Sequence, residues 1–275
     1  MKLLFLGDIV GRSGRDAVEK FLPDLIKDQG LDFVIINGEN AAAGFGITQK
    51  ICKQFFDLGV DVITGGNHSW DQKEALAFIS SEKRLLRPLN FPKGTPGLGA
   101  NVYQTTAGKK VLVMNVMGRV FMDALDDPFA AVEAELARYN LGASVDVIVV
   151  DIHGEATSEK MGMGHFTDGR VSLVVGTHSH VPTADAQILP KGTAYQTDAG
   201  MCGDYNSVIG MQKEEPLRRF TRKISGGRFT PADGIGTMCG LIVETDNKSG
   251  LARHIEPVRL GGRLINTGQA SENAD

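Results

Sequence analysis

Short apolar segments recur along the first two thirds of the chain, and they constrain its fold more than any other feature. They are dense in Val, Ile, Leu and Phe and lie at residues 2–7, 32–37, 61–64, 110–116, 145–151 and 172–176. They show little alternation of apolar and polar residues, which is typical of strands covered on both faces. Segments with helical spacing of apolar residues lie between them, at residues 15–29, 48–58, 71–80 and 128–139. Strands and helices in alternation predict an α/β fold with a largely parallel or mixed sheet.

The pattern changes after Gly176. Further predicted strands with short turns between them lie at residues 186–189, 193–197, 237–245 and 251–258. Such short connections favour antiparallel pairing. Because no linker or repeat divides the chain, we expect a single domain over residues 1–275 with two sheets and a flexible tail from about residue 267.

The ends of the predicted helices carry weaker signals. Thr48 and Asp71 are predicted N-caps, and Pro23 predicts that the first helix is kinked or starts late. The segment 87–99, rich in Pro and Gly, is a predicted loop.

Charge and cysteine content narrow the class of protein. The formal net charge of -4 gives no general electrostatic reason to bind nucleic acid or an anionic membrane. The three cysteines are odd in number and widely spaced, which fits a reducing compartment. The apolar start of the chain ends at Asp8, too early for a secretory signal, and no run of about 18 apolar residues follows. We therefore expect a cytoplasmic protein without a membrane span.

Side chains that bind metals cluster just after predicted strands. The acids, amides and imidazoles at these positions are Asp8, Glu39, Asn40, Asn67, His68, His153, His178 and His180. In open α/β sheets the carboxyl ends of the strands are where ligands bind. Four of the six histidines lie at such positions, namely His68, His153, His178 and His180. Five strand ends of this kind predict a functional site more specifically than any single motif.

Each of these positions also has an ordinary structural interpretation. Asp8 could be a turn aspartate, and the glycines around it resemble a P-loop, but a spacer is missing and Arg12 stands where Lys is required, so we reject a P-loop. Glu39 and Asn40 could bridge a loop. A lone His153 would more often be a hydrogen-bonded structural histidine than a ligand. The recurrence at five strand ends favours the functional interpretation.

The motifs together closely resemble those of the calcineurin-like metallophosphoesterases, in particular their YmdB-type branch. The matching segments are 38–40 (GEN), 66–71 (GNHSWD), 153–160 (HGEATSEK), 176–185 (GTHSHVPTAD) and 197–201 (TDAGM). The resemblance runs from Lys2 to about Pro257. It implies a four-layer αββα sandwich of two mixed sheets flanked by helices.

The sequence departs from the broader superfamily at two positions. The usual Asp-x-His is Asp8-Ile9-Val10, so one histidine ligand is absent, and the usual bridging aspartate is replaced by Glu39. In the YmdB-type branch an asparagine at the position of Asn40 is thought to compensate.

The resemblance implies two metal ions per chain. One would be bound by Asp8, Glu39, Asn40 and His180, and the other by Glu39, Asn67, His153 and His178, with Glu39 bridging. Mixed nitrogen and oxygen donors without thiolate suit iron (Fe²⁺ or Fe³⁺), Mn²⁺ or Zn²⁺ and disfavour Cu(I) or an iron-sulfur cluster. Two divalent ions would leave the site positive, so an acidic protein can bind a phosphate ester locally.

The general two-metal scheme then predicts the reaction. A hydroxide formed between ions about 3.5 to 4 Å apart attacks phosphorus in line. His68, next to a ligand but not assigned to a metal, is the expected general acid for the leaving alkoxide. Its alternative role is to orient Asn67 or a carboxylate.

The predicted substrate is a small phosphate ester. The resemblance suggests a cyclic nucleotide, with a 2′,3′- or a 3′,5′-cyclic phosphodiester. A phosphomonoesterase or nucleotidase would use the same centre. A regulator with a structural metal site ranks lower because the ligands and the acid are intact, and a di-metal redox protein ranks lower because helical bundles are its commoner host. The sequence leaves open whether the protein forms a homo-oligomer.

Several neighbouring residues are predicted to support the site. The loop after His153 is expected to be shaped by Glu155, Ser158 and Lys160. Asp185 and Asp198 are expected either to orient His178 or His180 or to cap turns.

Overall fold

A computed structural model of the chain describes residues 1–267. The strands in chain order are β1 (Lys2–Ile9), β2 (Phe33–Asn37), β3 (Val62–Thr64), β4 (Ala100–Gln104), β5 (Lys110–Met117), β6 (Val147–His153), β7 (Leu173–Thr177), β8 (Gln187–Ile188), β9 (Ala194–Gln196), β10 (Met201–Cys202), β11 (Met238–Thr245) and β12 (Ala252–Leu260). The helices are α1 (Gly11–Gln29), α2 (Gln49–Asp57), α3 (Ala75–Phe78), α4 (Pro128–Leu136), α5 (Thr157–Thr167) and α6 (Glu214–Arg222). Of the predicted flexible tail, Thr267 bonds to Arg259 and the rest lies outside the described residues.

The strands form two mixed sheets. The first has the order β12-β11-β1-β2-β3 with β10 beside β1, and the second has the order β4-β5-β6-β7-β9-β8. Strands β1 to β3 are parallel in the first sheet, as are β5, β6, β7 and β9 in the second. The other strands named in these orders, except β10, pair in antiparallel fashion. The parallel strands therefore end at a common edge of each sheet.

Alternate residues of each strand supply three apolar layers. Leu3 and Phe5 of β1 pack against Val111 and Val113 of β5 in a core shared by both sheets. Leu4 and its neighbours on the opposite face pack under α1, α2 and α3. The outer face of the second sheet is covered by α4 and α5. The structure thus confirms the four-layer αββα sandwich, and burial on both faces explains the near-continuous apolar runs.

The predicted antiparallel pairing after Gly176 is right for β11 with β12 and for β8 with β9. Strand β9 also has a parallel neighbour, which the sequence analysis did not predict. Strand β9 runs parallel to β7, with Leu173 opposite Ala194. A parallel neighbour requires a crossover of a dozen or more residues, and residues 178–193 are long enough to provide one.

The helix boundaries correct three predictions. Helix α1 begins at Gly11 and contains Pro23, so the predicted late start is wrong. Burial of Val18 and Leu22 against the sheet outweighs the proline's poor helix propensity. Helix α3 is confined to Ala75–Phe78, and Asp71 does not cap it. The predicted N-cap Thr48 is confirmed, since its side chain accepts a hydrogen bond from the amide of Ile51.

The sequence prediction missed α5, α6, β4 and the short strand β10. Two glycines in α5 weaken its helical pattern, yet Gly164 is needed there because a Cβ would lie 2.6 Å from the ring of Tyr195. Among the described helices, none combines the length and the apolar character needed to cross a membrane.

Candidate metal centre

The predicted donors meet at one edge of the sandwich, and both sheets contribute. The oxygen donors follow strands of the first sheet, and they are Asp8, Glu39, Asn40 and Asn67. The imidazoles of His153, His178 and His180 come from the second sheet. Two placements differ from the prediction, because Asp8 lies inside β1 and His153 is the last residue of β6. The centre therefore forms only when the two sheets face each other.

The first group of donors surrounds Nε2 of His153. This nitrogen lies 2.9 Å from Oδ1 of Asn67, 3.1 Å from Oε1 of Glu39 and 3.1 Å from Nδ1 of His178. His153 and Glu39 are buried, and His178 is partly exposed. Four donor atoms from four loops or strands thus point at one small space, which is the arrangement a metal ion requires.

The second group contains Asp8, Asn40 and His180. Nε2 of His180 lies 3.2 Å from Oδ1 of Asn40 and 3.8 Å from Oδ1 of Asp8. The amide of Asn40 is oriented by its own Nδ2, which donates to the carbonyl of Gly44 at 3.0 Å. The backbone amide of His178 donates to Oδ2 of Asp8, which links the two groups.

The hydrogen bonds around two histidines fix which ring nitrogen is turned toward the other donors. Thr177 donates its hydroxyl proton to Oδ1 of Asp151 at 2.7 Å, so it accepts from Nδ1 of His153 at 2.9 Å. Nδ1 of His180 donates to the carbonyl oxygen of Ile209 at 2.8 Å. In both residues Nε2 is therefore the nitrogen turned toward the other donors, as expected of metal-binding histidines whose second nitrogen is held by a neighbour.

Asp151 joins the two sheets beneath the donors. Its Oδ2 accepts from Thr64 at 2.6 Å and from Nδ2 of Asn37 at 3.1 Å, both in the first sheet. Burial raises the pKa of Asp151 to about 6, although His153 and the hydrogen bonds from Thr64 and Thr177 favour its charged form. The sequence analysis did not select this residue. Its signal was an acid inside an apolar strand, two residues before a histidine and on the same face.

Burial and mutual attraction set the charges of the cluster. Burial opposes ionisation of Glu39, but the charge and hydrogen bond of His153 outweigh it and lower the pKa of Glu39 to about 2. Burial likewise opposes the charge on His153, but Glu39 raises its pKa to about 9. Burial and the charge of His153 lower the pKa of His178 to about 3. The cluster therefore stabilises a positive charge at its centre and keeps one imidazole neutral beside it.

Two further features show that the cluster fits a cation. Oδ1 of Asp8 is buried without a hydrogen-bond partner, and burial raises the pKa of this carboxyl despite His180 and His153. Such an unsatisfied oxygen is costly unless a ligand binds it. Gly66 leaves room that a side chain would fill, since a Cβ would collide with Glu39 and lie 2.5 Å from Nε2 of His153.

His68 lies beside the cluster and outside the two donor groups. Its backbone amide donates to Oε2 of Glu39 at 3.0 Å, and its Nδ1 donates to Oδ2 of Asp71 at 2.8 Å. The ring packs edge-on against Phe45, with 5.0 Å between centroids, and its side chain is 27% exposed. Asp71 was predicted as a helix cap and instead orients the imidazole of His68.

Asp185 and Asp198 were predicted either to orient the histidines or to cap turns, and each takes a different one of these roles. Asp185 accepts from the backbone and hydroxyl of Thr197 and so caps a turn. Asp198 bonds to Ser179, between the two histidines. Oε2 of Glu155 lies 3.4 Å from Nε2 of His178 at the exposed side of the cluster.

The αββα sandwich and this donor set together define a metallophosphoesterase-type protein. The sequence model of the YmdB-like protein family matches residues 4–258. The chain belongs to that family.

Individual relatives agree with this assignment. The chain is 46% identical over 258 residues to the 2′,3′-cyclic-nucleotide 2′-phosphodiesterase of Bacillus subtilis, covering 94% of this chain and 96% of that protein. A crystal structure of a hypothetical protein from Thermus thermophilus is 43% identical, with a TM-score of 0.87 over 94% of this chain and 99% of that one. A structure described as a novel phosphatase from Mycoplasma pneumoniae is 34% identical, with a TM-score of 0.88 over 94% and 93% of the two chains.

Proposed function

We propose that the protein is a dinuclear-metal-dependent phosphodiesterase that hydrolyses cyclic nucleotides. The observation that carries this proposal is the meeting of seven donor side chains from both sheets at one edge, with Nε2 of His153 within 3.1 Å of three of them. The B. subtilis relative, a 2′,3′-cyclic-nucleotide phosphodiesterase, supports the choice of substrate. Because the donors come from both sheets, we infer that the whole sandwich acts as one catalytic unit.

The proposed ligand sets follow the two groups of donors. Asp8, Asn40 and His180 would bind one ion, and Asn67, His153 and His178 the other. Glu39 would serve both, since its two carboxylate oxygens are separate donors. Oxygen and imidazole donors suit iron, Mn²⁺ or Zn²⁺.

Such ions supply a hydroxide at neutral pH and neutralise charge on the phosphate. The protein's own contribution is to hold and move protons. Asp71 accepts from Nδ1 of His68, which leaves Nε2 of the partly exposed ring for a substrate. From that position His68 would protonate the leaving oxygen as a general acid. Phe45 limits the movement of the ring by packing on its edge.

The test combines metal analysis with a comparison of substrates. We expect purified protein to contain two ions of iron, manganese or zinc per chain and to hydrolyse 2′,3′- or 3′,5′-cyclic nucleotides faster than linear monoesters. A protein that contains both metal ions but hydrolyses only monoesters would overturn the assignment of cyclic nucleotides as the substrate. An active protein free of metal would overturn the mechanism.

A phosphomonoesterase is the second candidate. It is favoured by the M. pneumoniae relative, which is described as a phosphatase. The same experiment separates the two, because a phosphomonoesterase would leave both cyclic nucleotides intact while releasing phosphate from 3′- or 5′-nucleotides.

A further inference from the structure

A buried lysine lies beneath the loop that carries two of the proposed ligands. Lys160, on α5, is 0% exposed, and its Nζ lies 2.8 Å from Oδ2 of Asp198 and 3.3 Å from Oγ of Ser179. Asp198 is also 0% exposed. Replacing a buried ion pair by apolar side chains is often neutral or stabilising, so stability alone does not account for this one.

Asp198 holds Ser179 through two hydrogen bonds and Gly200 through a third. Its Oδ2 accepts from the backbone amide of Ser179 at 3.1 Å and from the hydroxyl of Ser179 at 2.6 Å. Its Oδ1 accepts from the amide of Gly200 at 2.8 Å. Because Lys160 bonds to the same Oδ2, the carboxylate is oriented by the lysine and in turn fixes the backbone at Ser179.

The backbone on both sides of Ser179 is strained. His178 has a φ of 95° and His180 a φ of 63°, in the left-handed region that side chains other than glycine rarely adopt. Such strain persists only where the surroundings hold it. The two bonds from Ser179 to Asp198 provide that hold, and the twisted loop is what turns two imidazoles, two residues apart, toward different donor groups.

Gly176 makes room for the lysine. A Cβ at this position would lie 2.7 Å from Cδ of Lys160 and would collide with the carbonyl of Thr197. The glycine at the head of the segment from Gly176 to His180 therefore admits the stem of Lys160 under the loop.

We propose that Lys160 and Asp198 are positioning residues that set the orientation of His178 and His180 and thereby the affinity of the site for metal. This inference rests on the proposed dinuclear centre. Neither residue contacts the substrate in this scheme. Their effect reaches the two histidines through Ser179, to which both residues bond.

The experiment measures Mn²⁺ binding by calorimetry to metal-free full-length protein, well below the unfolding temperature. The variants are the charge-balanced pair Lys160→Met with Asp198→Asn, and the milder Ser179→Ala. We expect wild type to bind two Mn²⁺ per chain, the double variant to bind at least tenfold more weakly, and Ser179→Ala to lie between them. Met163→Ala, a buried apolar change on the same helix, should lower Tm without changing Mn²⁺ affinity.

The outcomes separate this inference from the proposed function. A folded double variant with wild-type Mn²⁺ affinity would overturn the positioning role and leave the dinuclear centre standing. If the double variant does not fold, the Mn²⁺ affinity of Ser179→Ala is the test. An affinity equal to that of wild type would then overturn the positioning role of Lys160 and Asp198. A wild-type protein that binds none of Fe²⁺, Mn²⁺ and Zn²⁺ would overturn the dinuclear centre itself.

Discussion

The imidazole of His68 lies outside the donor groups, although its neighbour Asn67 lies 2.9 Å from Nε2 of His153. If His68 is the general acid, His68→Asn keeps both metals and loses turnover by a factor on the order of 10²–10⁴. Metal content and kcat measured on the same preparation test this. Near-normal kcat at full metal loading would exclude the acid role.

The leaving group sharpens that test. A nitrophenolate needs little protonation, so the loss in His68→Asn should be much smaller with a nitrophenyl phosphodiester than with a cyclic nucleotide. His165→Asn is the matched control, since His165 is exposed on α5 away from the donors. An equal loss with both substrates would instead indicate that His68 orients Asn67 or Glu39.

The hydroxyl of Thr177 bonds to Nδ1 of His153 and so orients the ring, and its removal should weaken metal binding. Thr177→Val keeps the shape of the side chain but removes the hydroxyl between His153 and Asp151. We expect metal affinity to fall about 10- to 100-fold, as for other groups that orient a ligand. Thr167→Val is the control, because the hydroxyl of Thr167 bonds to main-chain carbonyls of α5. Equal affinity in both variants would contradict the prediction.

Single residues were predictable where they carried metal-binding chemistry at a strand end. The seven proposed ligands and His68 were all selected this way, and the structure brings them to one edge. Asp151 and Thr177 were not assigned roles, because each acts through a hydrogen bond to a residue distant in sequence. Asp71 was assigned the wrong role, because its bond to His68 forms in an unforeseen turn. Apart from the position of Asp151 two residues before His153, nothing local distinguishes these residues from ordinary buried polar groups.

At the scale of elements, helix α4 offers a clean test of capping. Oδ1 of Asp127 accepts from the amides of Phe129 and Ala130, and Pro128 occupies the first turn. Asp127→Ala should lower the free energy of unfolding by about 1 kcal/mol at pH 7. Urea unfolding measures this, with Asp123→Ala, an exposed aspartate of the preceding loop, as the control expected to change little.

The difference in free energy of unfolding between wild type and Asp127→Ala should depend on pH in a definite direction. The hydrogen bond from the amide of Ala130 lowers the pKa of Asp127 below its ordinary value of 3.8. A lowered folded-state pKa contributes stability above the unfolded pKa that is lost as the pH falls through the folded one. The difference between wild type and Asp127→Ala should therefore shrink below about pH 4. A difference that grows on acidification would be inconsistent with the cap.

Elements were predictable where one strong local pattern dominated. The six apolar strands before Gly176 were placed within a few residues, because burial on both faces demands continuous apolar side chains. Helix α5 was missed, since its two glycines, of which Gly164 fits against Tyr195, weaken its helical pattern. The parallel pairing of β9 with β7 was missed because it depends on the crossover between these two strands, which leaves little trace in the sequence of β9 itself.

At the scale of the whole molecule, bound metal should stabilise the sandwich by tying its two sheets together. A ligand at 100 times its Kd adds about 2.7 kcal/mol per site if it binds only the folded state. For a protein of this size, chelation should lower Tm by on the order of 5–10 °C. Differential scanning calorimetry before and after chelation, and after return of Mn²⁺, measures this.

The matched control for that experiment is Asp8→Asn. This change removes the charge of the carboxylate whose Oδ1 is buried without a hydrogen-bond partner. It should reduce the shift in Tm on adding metal while leaving the metal-free protein folded. A wild-type Tm that does not respond to chelation or to metal would contradict metal binding between the sheets.

The sequence by itself determined most of the strands, the class of fold and which side chains can donate to a metal, because strand burial and donor type are local properties. Tertiary structure alone decided that oxygen donors of one sheet meet imidazoles of the other, and that Asp151, Thr177, Lys160 and Asp198 hold them in place. These contacts join residues far apart in sequence, such as Asp151 and Thr64 or Lys160 and Asp198. They exist only once the two sheets have packed, since no periodicity in the chain specifies which strand end faces which.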